Sequence, residues 1–460
     1  MTCALLTGGA GFVAAGELPL VASGQGDRSS IDVTVYNRDL ALVREIRRVD
    51  LPRGEFSFEF RDVPSRINPV TLLVSSSGKT GLVLHEQNYE FDLMSPDKIL
   101  QKYVGRQLSW IQEDGSRRTG TLLGMSNGPV YRVDEEIVFE MPGRLALSDL
   151  PENLRARPTL VWLAEAAKGG AAEVETSYLT GGFSWHADYV LQLDEKGAKA
   201  GLQAWVTVEN RTGASYREAN LLLVAGDINQ VRPAMDTMMS MDKALATPAG
   251  ARFQEETLYD YHMYTLQRPT DLLDKQIKQI SLFDVSGLKV TKHYRLRARP
   301  HHFRGIGRLA EKSKVSVSYS FENTKDNKLG MALPAGVFRV YGLSSSGARQ
   351  LLGEDRIDHT PTKETIDLTV GNAFDIVAER VRTDSQKLAD NLYRTTFEVT
   401  IRNHRQDAVV VEVSEPVGGF WEVVEESHPH RKVSAQELAF DVPVPADGET
   451  VLKYTVQVKF

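Results

Sequence analysis

The sequence predicts an all-β protein of tandem antiparallel β-sandwich modules, with a small barrel near the middle of the N-terminal half and an immunoglobulin-like domain at the C-terminus. Three observations predict it: apolar residues alternate with polar ones along most of the chain, turn dipeptides fall between those runs, and good helix starts are almost absent.

Alternation comes first in the argument. Phe56, Phe58 and Phe60 alternate with Ser57 and Glu59, and Val315, Val317, Tyr319 and Phe321 alternate with Ser316, Ser318 and Ser320. Phe397, Val399 and Ile401 repeat the pattern, as do Leu452, Tyr454, Val456, Val458 and Phe460. Successive side chains leave opposite faces of a strand, so each run has one dry and one wet face, the arrangement that antiparallel sheets use. Asp114-Gly115 and Asn127-Gly128 sit at hairpin positions, where a positive φ is needed and these residues supply it at little cost. Runs at 104–111, 119–125 and 130–133 then make a meander that reads as a small barrel. Ser95-Pro96-Asp97 looks like an N-cap followed by a first-turn proline, which predicts one short helix over 97–104. No heptad repeat is sustained, which argues against a coiled coil.

The predicted organisation is a leader remnant or tail over 1–29, an N-terminal β module over 30–95, the small barrel over 96–149, a central sandwich region over 150–374 and the immunoglobulin-like module over 375–460. The core of the last is expected to include Phe397, Val399, Ile401, Val411 and Tyr454. A short echo recurs three times, Val-Glu-Asn at 208–210, Phe-Glu-Asn at 321–323 and Ile-Arg-Asn at 401–403. Each is a strand that runs into a polar loop, with Asn closing the strand through its tolerance of turn conformations.

Composition bounds the function. Lys plus Arg number 54 and Asp plus Glu 61, for a net charge of −7 without long runs of either sign. That balance disfavours nucleic acid, which needs a basic face. The one cysteine, Cys3, rules out both a disulfide framework and a thiolate cluster in this chain. Residues 1–26 are small and apolar, with AxA-like positions near Ala14, Ala15 and Ala22, the pattern of the hydrophobic part of an export leader without its basic start. Export to the periplasm or medium is therefore expected. No later stretch has the roughly 20 apolar residues that a spanning helix requires.

Chemistry-bearing patterns are sparse. Thr7-Gly-Gly-Ala-Gly-Phe12 looks like a dinucleotide-binding turn but no βαβ unit follows it. His301-His302 and His428-Pro429-His430 are the only clustered histidines, the latter a weak chelator even with Glu425 added. Gly342-Leu-Ser-Ser-Ser-Gly347 misses the nucleophile-elbow spacing and reads as a hairpin loop. Asp134-Glu135-Glu136 and Glu354-Asp355 offer paired carboxylates, as glycoside hydrolysis needs, but read as exposed turns beside strand ends. Met235, Met238, Met239 and Met241 lie in a segment, 233–254, without alternation; thioethers suit Cu(I), yet the run lacks an adjacent His or Cys and reads as a long loop. Trp185, His186 and Tyr189 are the candidate binding residues: the aromatics either anchor a core or stack on a glycan, and His186 near Asp188 has the makings of a base.

One set of motifs carries a family likeness. Ser177-Tyr178-Leu179, Phe183-Ser184-Trp185 and Asp188-Tyr189 open it. Asn210-Arg-Thr-Gly213, Tyr261-His-Met-Tyr-Thr265, Leu333-Pro-Ala-Gly336 with Val340-Tyr341, Leu352–Ile357, His359-Thr-Pro361 and the stretch 440–454 continue it. Over about residues 170–460 the chain resembles the bacterial domain of unknown function numbered 4139, found in mucoidy-inhibitor-like proteins. Residues 36–74, with Leu51-Pro-Arg-Gly54, resemble that family's companion N-terminal domain less closely. Members of the family place a coiled coil after that domain, where this chain has its small barrel. The resemblance implies a β-rich envelope or secreted protein and brings no reaction with it. The expected function is thus non-catalytic binding of another envelope protein or a surface glycan, without a cofactor; the alternative is a hydrolase acting on envelope polysaccharide or peptide.

Overall fold

The structure is a computed structural model that describes residues 18–78, 80–92, 95–126, 128–149, 154–226, 253–258, 261–299, 309–344 and 346–460. The glycine-rich opening at 7–12, Cys3, Asn127, His301, His302 and the methionines of 233–254 lie outside them. The described chain is nearly all β, and its sheets include both antiparallel and mixed ones, none closed into a barrel. It divides into two compact units, the first of Met1–Ser184, Glu209–Leu223 and Arg268–Ile277, the second of Trp185–Val208, Val224–Gln267 and Lys278–Phe460.

In the first unit, one sheet runs in the order Leu20–Ser23, Gly54–Arg61, Thr159–Ala166, Leu82–Glu90. A second runs Arg28–Tyr36, Ala41–Leu51, Gly170–Thr180, Leu73–Ser77. Phe56, Phe58 and Phe60 are fully buried, as their alternation predicts, and Phe60 stacks on Trp162 at 5.2 Å. Arg47 reaches across from the second sheet with its guanidinium 3.5 Å from the centre of the Phe60 ring. Its charge is met by Glu45 at 3.1 Å, and Glu45 also holds Arg28 at 2.8 Å. A buried Arg survives only when paired and hydrogen-bonded in this way.

Two boundaries move. Ala22 pairs with Glu59 in a parallel strand, so the processing position at Ala22 belongs to the folded body, while Ala14 and Ala15 lie outside the described residues. The N-terminal module does not stop at 95, because Thr159–Ala166 and Gly170–Thr180 complete its two sheets. Residues between them form an inserted module: helix Pro96–Lys102, capped by Ser95 accepting the Lys98 N–H at 3.2 Å, then five strands. That sheet is open, with the order Glu136–Val138, Val130–Val133, Arg117–Gly124, Gln107–Ile111, Arg144–Ala146. Its two outermost strands have three residues each, and neither pairs with the other, so the expected barrel does not close. Asp134 and Glu135 both have positive φ and form the turn between two of its strands.

The second unit holds a five-stranded sheet in the order Gln276–Lys289, Lys199–Asn210, Phe183–Leu193, Gly336–Leu343, Arg349–Ile357. Phe183–Leu193 and Gly336–Leu343 are parallel, which alternation alone does not reveal. They approach so closely that a Cβ on Gly336 would lie 2.2 Å from the Ala187 carbonyl oxygen, which explains the glycine of the Leu333-Pro-Ala-Gly336 motif. The C-terminal sandwich is a nine-stranded sheet curled over a single core. Phe397, Val399, Ile401, Val411 and Tyr454 are all fully buried in it. The module starts well before 375: Thr291–Arg297 and Leu309–Glu322 pair into it, and residue 375 falls inside the long strand Thr365–Ala389. At its centre Arg380 grips Glu415 through two hydrogen bonds, of 2.9 and 2.8 Å, and stacks over Phe397 at 3.7 Å. Burial pushes the Glu415 carboxyl up; Arg380 and the Tyr454 hydroxyl offset part of that.

The three echoed asparagines share one structural role. Asn210, Asn323 and Asn403 are buried, and each side-chain amide donates to two carbonyls, one in the loop that follows and one in a facing turn. For Asn210 these are Ala214 and Leu272, for Asn323 Met331 and Pro361, for Asn403 Asp407 and Pro445. Each amide oxygen in turn accepts a loop N–H, from Thr212, Gly330 and Arg405 respectively. In each facing turn a non-glycine residue adopts positive φ: Lys275, Lys363 and Asp447. The asparagine thus does more than tolerate a turn conformation; it ties a strand end to a second turn with all of its polar groups satisfied.

Replacing Asn403 by Ala leaves the Asp407 and Pro445 carbonyls without this partly buried donor and should cost about 1–2 kcal/mol, read from the urea midpoint of the C-terminal module. Asn403→Asp should cost at least as much, since a carboxylate has no hydrogen for either carbonyl. His404→Ala, at an exposed neighbour, should stay within about 0.5 kcal/mol of wild type. Equal midpoints for Asn403→Ala and His404→Ala would contradict this role.

Candidate binding face

From Trp185 to Leu193, within the second unit, side chains alternate between an inner and an outer face, with Asp188 on the outer face itself buried. Trp185, Ala187, Tyr189 and Leu191 point into the core. Trp185 is 3% exposed, its indole N–H donates to the Val224 carbonyl at 3.3 Å, and its ring meets Tyr264 edge-on. Tyr189 is fully buried, stacks on Phe338 with ring centres 4.3 Å apart and donates its hydroxyl to the Pro334 carbonyl at 2.7 Å. Burial pushes that hydroxyl well above its ordinary value. Trp185 and Tyr189 are therefore corrected from candidate binding residues to core residues: enclosed aromatics present no face to a ligand.

His186 alone of the three candidates lies on the outer face, where it is exposed and its Nε2 sits 3.3 Å from Asp188 Oδ2. Around Asp188 the outer face carries a polar row to which all five strands contribute. Gln279 Nε2 donates to Thr207 Oγ1 at 3.2 Å, and Thr207 donates to Asp188 Oδ2 at 2.6 Å. Arg339 Nη1 donates to Asp188 Oδ1 at 3.0 Å and its Nε to Glu354 Oε1 at 2.9 Å. Trp205 and Tyr341 stand two residues along their strands from Thr207 and Arg339, on the same face and half-buried. Burial pushes the Asp188 carboxyl up, but the hydrogen bonds from Thr207 and Arg339 and the charges of His186 and Arg339 outweigh it and hold the group below the ordinary carboxylate range.

Other sequence candidates are not brought together. His430 bonds Glu426 at 2.7 Å rather than Glu425, and His428 contacts Ser427. Among the described residues no group of three or more His, Cys, Asp or Glu has the geometry to hold a metal ion. Ser344 and Ser346 lie in the hairpin loop that joins Gly336–Leu343 to Arg349–Ile357. Glu354 belongs to the polar row, whereas Asp355 accepts the Thr369 N–H at 2.6 Å. Arg339, Thr207 and Gln279 escaped the sequence reading. Alternation places each on a wet face, but only the strand order makes them neighbours.

Asp188 binds protons less readily folded than unfolded, where its value lies near about 3.9. Its contribution to stability is therefore complete above about pH 5 and lost as pH falls through the folded value. Asp188→Asn should lose less stability than wild type between about pH 5 and pH 2, measured as the change in urea midpoint. A parallel decline in both proteins would contradict the assignment.

Compared with known proteins, the chain matches no family model, and no curated protein matches it.

Proposed function

We propose that the chain is a non-catalytic cell-envelope or secreted protein that binds a surface glycan on the outer face of its five-stranded sheet. The observation that carries this reading is the polar row Gln279–Thr207–Asp188–Arg339–Glu354 with Trp205 and Tyr341 beside it. Sugars offer hydroxyl pairs and apolar ring faces, and a fixed line of donors and acceptors next to aromatic rings matches both. Every member of the row already has a partner, so little side-chain freedom is lost on binding.

Two carboxylates, Asp188 and Glu354, share this face, as a glycoside hydrolase requires. One guanidinium holds both, and Asp188 sits below the ordinary range, the opposite of a general acid. That supports binding over hydrolysis. The envelope setting rests on the leader-like composition of the N-terminus and on the resemblance of residues 170–460 to the mucoidy-inhibitor-like family. The other occupant such a face admits is a second envelope protein.

Affinity electrophoresis through gels containing cell-envelope polysaccharides tests the proposal. The wild-type protein should be retarded, and His186→Ala/Glu354→Ala, which removes two exposed hydrogen-bonding groups, should weaken retardation by about five- to tenfold. Unretarded migration in every polysaccharide, or release of reducing ends from one, would contradict it.

A further inference from the structure

The outer face continues past the polar row into a cavity of about 280 Å³. Its position follows from register. Gln192 lies opposite Tyr341, and Leu343 opposite Arg349. Gln192 shares parity with Asp188, and Tyr341 with Arg339, so cavity and row open on the same side of the sheet. Gly201 and Gly342 contribute backbone rather than side chain to the lining, and Tyr341 lines it as well.

The charge of this cavity runs against that of the chain. The protein carries −7 overall, yet the lining holds two cations, Lys199 and Arg349; neither lies in a salt bridge among the described residues, although the charge of Lys199 acts on Asp194. Lys328, outside the lining, donates its Nζ to the Ser286 carbonyl at 2.6 Å and lies 3.0 Å from the Cβ position of the lining residue Gly287. One carboxylate, Asp194, opposes the two lining cations, and its Oδ1 is engaged by the backbone N–H groups of Ala198 and Lys199 at 2.9 and 3.1 Å. Counting the charged lining residues Lys199, Arg349 and Asp194, the local charge is +2 − 1 = +1. Along the polar row the balance has the opposite sign: one cation, Arg339, is shared by two carboxylates, Asp188 and Glu354.

We infer that the cavity receives the anionic group of an acidic sugar, one ring of a polysaccharide whose neighbouring residues lie along the polar row. A volume near the lower end of the roughly 300–1,000 Å³ typical of small-molecule sites fits a single ring rather than an oligomer. Arg349 presents the planar fork that matches a carboxylate or a sulfate, Lys199 adds a mobile point charge, Gln192 supplies an amide for ring hydroxyls, and Tyr341 offers an aromatic face. The inference rests on the glycan reading above and deepens it by naming the class of sugar.

The experiment is titration calorimetry of the full chain with two sets of oligosaccharides of equal length, one of uronate residues and one neutral, at low and moderate salt. Lys199→Ala/Arg349→Ala is the test variant; both side chains are exposed and neither forms a salt bridge among the described residues, so the fold is retained, as circular dichroism will verify. The uronate set should bind the wild type, weaken as salt rises, and lose at least about tenfold in affinity in the variant. Neutral oligosaccharides should bind more weakly and equally to both proteins. Equal affinity for the two sets, unchanged in the variant, would overturn the acidic-sugar assignment and leave glycan binding standing. Binding of neither set would overturn both. Binding of sulfated but not uronate oligosaccharides, with the same loss in the variant, would support the anionic cavity and assign the charge to sulfate.

Discussion

A buried side-chain amide that must satisfy both its hydrogens and its oxygen is the constraint on which this architecture turns. Strand ends are the weak points of a β-sandwich, because the ladder stops there while the backbone is still partly enclosed. Asn210, Asn323 and Asn403 resolve this in the same way, each linking its own loop to a distant turn. The distant turn must then expose a carbonyl, and it does so by placing Lys275, Lys363 or Asp447 in a left-handed conformation that non-glycine residues rarely adopt. Local strain is accepted at three sites so that three strand ends are fixed. A comparable economy operates inside the two sandwich cores, where Arg47 and Arg380 each lie over a phenylalanine ring and pair with a buried glutamate.

Much of this was legible from the sequence, and the limit is physical. Period-two alternation assigns each side chain to a wet or dry face, which is why Phe56, Phe58, Phe60, Phe397, Val399 and Ile401 were placed in cores and are there. It carries no information about which strand lies alongside. The parallel pairing of Phe183–Leu193 with Gly336–Leu343, and the entry of Thr159–Ala166 and Gly170–Thr180 into the N-terminal sandwich, come from distant partners. The same limit explains the misplaced boundary at 375, since a strand that continues for 25 residues gives no turn signal where modules change. The Asn echo was visible as a repeat, but its partners Leu272, Pro361 and Pro445 lie too far along the chain to be read with it.

The candidate site shows the same division. Trp185, His186 and Tyr189 drew attention because large or titratable residues cluster there, yet parity sends the two aromatics inward and leaves only His186 outside. What makes the outer face chemically distinct is assembled across strands: a hydrogen-bonded row in which one cation holds two carboxylates, ending in a cavity where two cations face one carboxylate. The residues on the inner face serve a different purpose. Tyr189 against Pro334, Gly336 against Ala187 and Tyr264 against Ala332 are contacts within the core, so these residues specify the scaffold.

Hydrogen exchange with and without an acidic oligosaccharide tests the account most directly, because it reads the location of binding without a prior choice of mutant. Slower exchange confined to the amides of 188–194, 199–207, 339–343 and 349–354 is the predicted result. Protection centred on the inserted module at 96–149 or on the C-terminal sandwich, with those four segments unchanged, would contradict it.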